Sequence, residues 1–292
     1  MVPSSHPILQ IAEPAPRPEP DLDWRERLER LRALIAPMGR VVVAYSGGVD
    51  SSLLLRVAHE ALGPRAHGVI GRSDSYATSE LELALAQAAS FGATVETVPT
   101  GELSDPAFRA NPTNRCYHCK SELYRRLDEV AARTGAAAVM DGTIADDLRD
   151  FRPGRRAAAE HAVRSPLAEL GFTKADVRAA AAHYGLASQD KPASPCLASR
   201  IPYGTEITRE NLSMVERAEA IVRSLGFREL RVRHHGDVAR VEISLAELPR
   251  LLEAGVREQL VTGLKSLGYR FVTVDLEGFR SGSLNSGLEI QE

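Results

Sequence analysis

Hydrophobic and polar positions change period several times along this chain, and the changes mark its elements. Leu28, Leu31, Leu34 and Ile35 recur at helical spacing, so a helix is predicted from Trp24 to Ile35. A short apolar run, Val41 to Tyr45, then reads as a buried strand. It is followed by a polar glycine turn and a helix over Ser51–Leu62. The alternation continues with a strand His67–Gly71 and a helix Ser79–Phe91, for which Ser79 and Glu82 suggest a capping box. A strand Thr94–Val98, a helix Lys120–Thr134 and a strand Ala137–Asp141 follow. A helix Lys174–Tyr184 has Thr173 and Asp176 at capping-box positions.

Strands alternating with helices predict an α/β fold: a parallel sheet with helices on both faces. In such sheets ligands bind beyond the carboxyl ends of the strands. Ser46–Asp50, Gly71–Ser75, Pro99–Thr100 and Asp141–Thr143 therefore converge on one crevice. The pattern changes after residue 205. A helix Arg209–Leu225, strands Glu229–His235 and Val238–Ile243, helices Leu245–Glu253 and Val256–Leu267 and a strand Arg270–Asp275 describe a small α+β unit. Three regions follow: a disordered leader (1–22), an α/β domain (23–205) and a C-terminal α+β domain (206–292).

Composition sharpens the picture. Six of the 17 prolines fall in the first 20 residues, so the leader builds no core. At 292 residues the chain has room for two units, and a net charge of −3 speaks against a broad nucleic-acid footprint. No apolar run reaches the roughly 18 residues of a membrane span, and a signal peptide is not evident, so a cytoplasmic location is expected. Three cysteines are too few and odd in number for a disulfide framework.

The chemistry starts at Ser46-Gly47-Gly48-Val49-Asp50-Ser51-Ser52. A strand feeding a glycine turn into a helix N-terminus is an anion site, and the two glycines let a phosphate approach the backbone. The string is neither a Walker loop nor a dinucleotide fingerprint. It resembles the PP-loop of ATP pyrophosphatases, which cleave ATP to pyrophosphate and an adenylated substrate. That resemblance puts the pyrophosphate on the loop and Asp50 near Mg²⁺, with Gly142 and Thr143 on the nucleotide side. The loop Arg72-Ser73-Asp74-Ser75 reads as an adenosine contact or an ordinary polar loop. Residues 144–165 read mostly as a charged connector, within which Arg152-Pro-Gly-Arg155 could hold a phosphate. On the C-terminal strand Arg231 and Arg233 share one face, with Arg240 on the neighbouring strand. They form either a phosphate fork or a solvated face paired to Glu229 or Glu242.

Cys116 and Cys119 form Cys-Tyr-His-Cys ahead of the Lys120 helix, and Cys196 lies in Ser-Pro-Cys-Leu-Ala-Ser-Arg200. The pair allows a redox couple, half a zinc site with His118 nearby, an iron–sulfur anchor or inert thiols. Three thiolates on a four-iron cluster would leave one iron open for a sulfide beside an ATP site.

Over about residues 25–285 the chain resembles the LarE sulfur transferases, which serve the nickel-pincer nucleotide cofactor of lactate racemase. The resemblance rests on Ser46–Ser51, Asp141-Gly-Thr143, His118-Cys-Lys120, Arg152-Pro-Gly154, Cys196–Gly204, Arg231–Arg240 and Gly278–Gly282. It implies that ATP and Mg²⁺ adenylate the carboxylates of pyridinium-3,5-biscarboxylic acid mononucleotide and that sulfur then converts them to thiocarboxylates. It implies a catalytic set of Cys196, Asp50, Ser199 and Arg200. ATP would be bound by Ser46, Gly47, Gly48, Asp50, Ser51, Ser52, Ser73, Gly142 and Thr143. Glu219, Arg231 and Arg233 match the substrate-phosphate pocket. Some members sacrifice the cysteine matching Cys196. The pair Cys116 and Cys119 makes this chain look like the three-cysteine members, in which Cys116, Cys119 and Cys196 hold a 4Fe-4S cluster. The resemblance further implies a PP-loop ATP pyrophosphatase domain over 23–205, substrate binding and oligomerisation by 206–292, a sulfide or other sulfur donor and a homo-oligomer. The rivals are PP-loop tRNA thiolation, amide synthesis of the GMP- or NAD-forming kind, and a non-enzymatic nucleotide sensor.

Overall fold

The computed structural model describes residues 22–149, 153–192 and 195–280. The expected leader, apart from Leu22, lies outside the described residues, as do Asp150, Arg152, Ser281 and Gly282.

The first unit runs α1 (Trp24–Ile35), β1 (Val41–Ala44), α2 (Val49–Leu62), β2 (Ala66–Arg72), α3 (Thr78–Ser90) and β3 (Thr94–Pro99). It continues with α4 (Pro106–Arg109), α5 (Arg115–Thr134), β4 (Ala138–Met140), α6 (Gly154–Glu160), α7 (Pro166–Glu169) and α8 (Lys174–His183). All four strands are parallel, in the order β3-β2-β1-β4. The direction of winding reverses between β1 and β4, so the crevice opens beyond the ends of those two strands.

The alternation of β1 explains the layers. Val41 and Val43 face a core made with Leu28, Leu31, Leu54, Val57 and Val177 from α1, α2 and α8. Val42 faces the opposite core, with Tyr124, Leu127 and Val130 of α5 and Ala157 of α6. A strand buried on both faces must be apolar throughout, which is why Val-Val-Val-Ala is legible as central.

The second unit comprises α9 (Arg209–Ser224), β5 (Leu230–His235), β6 (Val238–Ile243), α10 (Leu248–Leu251), α11 (Ala254–Ser266) and β7 (Phe271–Val274). Its sheet has the order β5-β6-β7, antiparallel then parallel. Leu230 and Val232 pack on Ala218 and Val222 of α9 and on Leu260 and Leu264 of α11. Between the two units lies a separate apolar cluster: Phe108, Leu197, Ala198, Ile201, Ile207, Leu212 and Val215. No helix among the described residues is long and apolar enough to cross a membrane.

The mixed α/β architecture with a parallel sheet and a smaller C-terminal sheet agrees with the pattern reading, and most boundaries fall within two residues. Three readings need correction. The helix expected from Ser79 starts at Thr78, and its N-cap, Ala77, offers no side chain, so the Ser79–Glu82 box does not exist. The helix expected from Lys120 begins at Arg115, which places Cys116 and Cys119 on its first turns instead of ahead of it. The supposed connector 144–165 contains helix α6, where Gly154 lets the chain approach α5. A Cβ there would lie 2.9 Å from Lys120 Cγ.

Candidate functional site: a glycine-turn crevice, a thiol corner and a buried arginine group

The glycine turn leaves β1 and enters α2 through Gly48, which supplies no side-chain cap. The first N–H groups of that helix therefore face outward at its positive end. Gly47 has φ +67°, and a Cβ on it would lie 2.5 Å from Ala84 Cβ, so the turn requires glycine. Gly142, at the end of β4, sits against the same helix end, where a Cβ would lie 2.7 Å from the Ser51 nitrogen. The Ser51 hydroxyl braces the turn: it accepts from the Ser46 N–H at 3.2 Å and lies 3.1 Å from the Ser46 hydroxyl. Ser52 does not reach the turn. It is fully buried and accepts from the Gln87 amide.

Asp50 is gripped by Lys174 Nζ, 2.8 Å from both carboxylate oxygens. Burial nonetheless pushes the Asp50 carboxyl up, Lys174 opposes the rise, and the nearby Asp147 adds to it. Lys191 stands on the other side of the turn, paired with Glu80 at 2.6 Å and reaching the Gly47 carbonyl at 3.5 Å. Neither lysine was singled out by motif: each lies far from the glycine turn in sequence, and only the folded chain aligns them. Thr143 is oriented by Asp141, which accepts from its N–H at 3.1 Å and its hydroxyl at 3.0 Å. Asp141 also accepts from Tyr124 at 2.8 Å and Ser165 at 2.7 Å.

The segment after β2 joins the glycine turn to the Cys196 loop. Tyr76 donates its hydroxyl to the Ser46 carbonyl at 2.8 Å, and the Leu197 N–H donates to the Ser75 carbonyl at 2.8 Å. Ser73 lies 2.8 Å from the Ser75 hydroxyl, which donates to Glu102 at 2.8 Å. Asp74, from the same loop, instead holds Arg209 of α9 at 3.1 Å.

Cys116 and Cys119 lie three residues apart on α5, hence on one face, and Cys196 approaches from the opposite loop. Cys116 is exposed, and the other two are half-buried. Burial, then the carboxylate of Glu102 and the neighbouring Cys196 and Cys116, hold the Cys119 thiol well above its usual range. The three thiols thus form one corner, and Tyr203 lies beside it, close enough to feel both Cys116 and Cys196. Among the described residues no three His, Cys, Asp or Glu side chains are arranged to hold a single metal ion. Three cysteine thiols are the donor type that an iron–sulfur cluster takes. His118, between the pair, turns to Asp105 at 3.4 Å.

The C-terminal unit contributes arginines. Arg200, Arg231 and Arg233 are 4%, 4% and 1% exposed, so their strand face is not solvated, but the pairing expected of the alternative is present: Glu242 also holds Arg240, which is half-buried, at 3.1 Å. Glu242 takes Arg233 bidentately at 2.8 and 3.0 Å. Glu219 takes Arg200 at 2.8 and 3.2 Å and also holds Arg223 at 3.2 Å. The carboxylate of Glu219 therefore orients guanidinium groups and does not itself present donors to an anion. Arg231 has no carboxylate partner among the described residues: it donates to the Arg280 carbonyl at 3.2 Å and lies over Phe279. Burial, then Arg233 and Arg200, push its guanidinium down to about 10. The carboxylates of Glu242 and Glu219 oppose that fall without reversing it, and an anion would add to their effect. Arg233 donates to the Ser199 carbonyl at 2.7 Å, and Arg200 to the Ser199 hydroxyl at 2.9 Å, tying the arginine group to the Cys196 loop.

No family model matches the chain. An uncharacterized protein of Synechocystis is 46% identical over 89% of this chain and 97% of its own length. The pyridinium-3,5-bisthiocarboxylic acid mononucleotide synthase of Lactiplantibacillus plantarum is 41% identical over 88% of this chain and 93% of its own. The glutamine-hydrolyzing GMP synthase of Aeropyrum pernix is 30% identical over 62% of this chain and 39% of its own.

Proposed function

This chain belongs to the LarE family of pyridinium-3,5-bisthiocarboxylic acid mononucleotide synthases, and we propose that it is an ATP-dependent sulfur transferase acting on the carboxylates of a pyridinium mononucleotide. The observation that carries the reading is continuity. Ser73–Tyr76 touches both the glycine turn and the Cys196 loop, and Ser199 joins that loop to the buried arginines.

ATP lies over Gly47 and Gly48 with its pyrophosphate at the open end of α2. Asp50 and Asp147 are the carboxylates that would hold Mg²⁺, which neutralises the departing pyrophosphate. Arg231, Arg233 and Arg200 receive the substrate phosphate, with Glu242 and Glu219 fixing the forks. A substrate carboxylate oxygen attacks the α-phosphorus, and pyrophosphate leaves. A sulfur nucleophile then adds to the acyl carbon, the bond to AMP breaks, and a thiocarboxylate remains.

Cys116, Cys119 and Cys196 are the residues that would hold a four-iron cluster, which when bound offers one open iron to a sulfide. In the sacrificial route Cys196 Sγ attacks instead. The Sγ–Cβ bond then breaks with loss of the Cα proton, leaving dehydroalanine.

Incubation with ATP, Mg²⁺ and the pyridinium dicarboxylate should release AMP and pyrophosphate only when substrate is present. Release with a purine nucleotide and ammonia in its place would overturn the reading in favour of amide synthesis of the GMP-forming kind. Anaerobic reconstitution should give a brown protein with about four irons per chain, lost in Cys116→Ala. A colourless protein with a loss of H₂S at Cys196 would assign the sulfur to Cys196 itself.

A further inference from the structure

The connection between α4 and α5 holds a strained residue that the chemistry above does not use. Asn111 is fully buried and has φ +52°, one of two non-glycine residues with positive φ among those described. It also precedes Pro112, where a chain normally stays extended at negative φ. Asparagine enters the left-handed region more readily than other residues with a Cβ. Such a conformation still persists only where its surroundings over-determine it, and it clusters at functional sites.

The Asn111 amide Nδ2 donates to the carbonyls of Ile201, Pro202 and Thr205 at 3.2, 2.7 and 3.1 Å, and Oδ1 accepts from Arg115 Nη1 at 2.8 Å. Its carbonyl accepts the Gly204 N–H at 3.0 Å, and nearby the Arg109 carbonyl accepts the Ile207 N–H at 2.8 Å. Arg115 in turn lies over Tyr203, 4.7 Å from the ring centre. The side chain of Asn111 is therefore spent on two segments, the start of α5 and residues 201–205. Those segments flank the thiols. Cys116 follows Arg115 directly, Cys119 lies one turn further along α5, and Cys196 precedes the turn Leu197–Arg200 that leads into Ile201. Cys119 and Cys196 pack on one apolar cluster with Phe108, Ile201 and Ile207. Apolar packing brings the segments together but is non-directional, so it leaves their register open. Hydrogen bonds between fixed donors and acceptors set the register.

We propose that Asn111 is a positioning residue for sulfur transfer: it staples the Cys196 loop to the start of α5 and so sets the spacing between Cys196 and the two helix thiols. It acts through the backbone of the loop and not by contact with the reacting atoms. The proposal rests on the sulfur-transfer reading for the step it serves, but its geometry is tested without ATP, substrate or metal.

Reduced, metal-free protein is treated with a limiting amount of dibromobimane, which bridges two neighbouring thiols with loss of both bromides. Peptide mass spectrometry separates bridges within α5, between Cys116 and Cys119, from bridges that join α5 to Cys196. The native protein should give both kinds, and the urea-unfolded chain chiefly the first. Native protein without bridges to Cys196 overturns the proposal and needs no variant. Asn111→Asp keeps the bond to Arg115 and the tolerance of a left-handed backbone but has no amide to donate. Asn111→Gly removes the strain together with the amide. Both variants should lose most bridges to Cys196 and keep those within α5, whereas Asn114→Ala, an exposed change on the same connection, should keep both. Bridges to Cys196 that survive in both variants overturn the proposal. So does a parallel loss of both kinds, which would make Asn111 a residue of the fold alone. With substrate, exchange of pyrophosphate into ATP should stay within about twofold of wild type, while thiocarboxylate formation falls on the order of 100-fold, the cost of a misplacement of about 1 Å. An equal fall in both steps overturns the positioning role. Wild type that forms the bridges but shows no exchange overturns the sulfur-transfer reading instead.

Discussion

β1 and β5 lie equally deep in their sheets. Val41, Val42 and Val43 are fully buried, and Leu230 through His234 are no more than 5% exposed. β1 is aliphatic and serves two cores, whereas β5 alternates Leu230 and Val232 toward one core with Arg231 and Arg233 on its other face. The first strand is scaffold, held by burial of apolar area. The second carries charge into the interior, where it is tolerated because Glu242 and Glu219 partly compensate it.

Breaking the compensation should have the largest effect. Glu242→Gln leaves Arg233 buried beside a neutral group and should cost about 3–5 kcal/mol in urea unfolding. Val43→Ala, the matching change in β1, should cost about 2 kcal/mol through lost transfer energy and a cavity. If the two costs came out equal, β5 would not differ from ordinary core.

The double change Arg233→Met with Glu242→Leu sharpens the contrast. An apolar pair of similar volume should keep the protein within about 2 kcal/mol of wild type. AMP release with the pyridinium substrate should nevertheless fall by at least about tenfold, chiefly through a raised KM, since a charge-assisted contact to phosphate contributes roughly 1.5–3 kcal/mol. Unchanged turnover would remove Arg233 from the substrate site.

The same contrast explains what was legible in the sequence. Apolar period and turn chemistry located the sheets and most helices, because each of these signals is local. The capping box Thr173–Asp176 was read correctly for that reason. The start of α5 was not, because Arg-Cys-Tyr-His-Cys has no apolar period. Its helicity comes from the packing of Tyr117 and Leu123 and from the contact with α6. Arg231 and Arg233 were visible as a pair on one face, but their burial was not, since the Cys196 loop and the Phe279–Arg280 segment that lie against them are distant in sequence. Lys174 and Lys191 had no motif at all: each matters through contacts that only the fold creates.

A smaller effect should separate the crevice from its scaffold. Asp50→Asn removes a carboxylate whose charge the fold disfavours. The native carboxyl titrates above the unfolded one, so its ionisation weakens the fold as pH rises through that interval. The variant should therefore melt no lower than wild type near pH 7 while losing at least about 100-fold in pyrophosphate release, the scale seen when one transition-state charge contact is removed. A clear loss of stability would mean that the pair with Lys174 is structural.

The smallest effect belongs to β5 again. His234 points with Leu230 and Val232 toward the C-terminal core, its Nδ1 3.1 Å from the Tyr269 hydroxyl. Burial, and then His235, lower its imidazolium below the ordinary value of 6.5. The unfolded chain consequently binds the proton more readily than the folded one, and stability rises with pH in that window. It is fully present above about pH 6.5, the unfolded value, and is lost as pH falls from there toward the folded value. The melting temperature should therefore drop between about pH 7 and pH 5, and His234→Gln should flatten that drop. β1 carries no titratable side chain, so changes there, Val43→Ala among them, should lower the melting curve by the same amount at both pH values. A drop that persists undiminished in His234→Gln would place the acid sensitivity elsewhere than in His234, with His235 at the end of the same strand the next group to test.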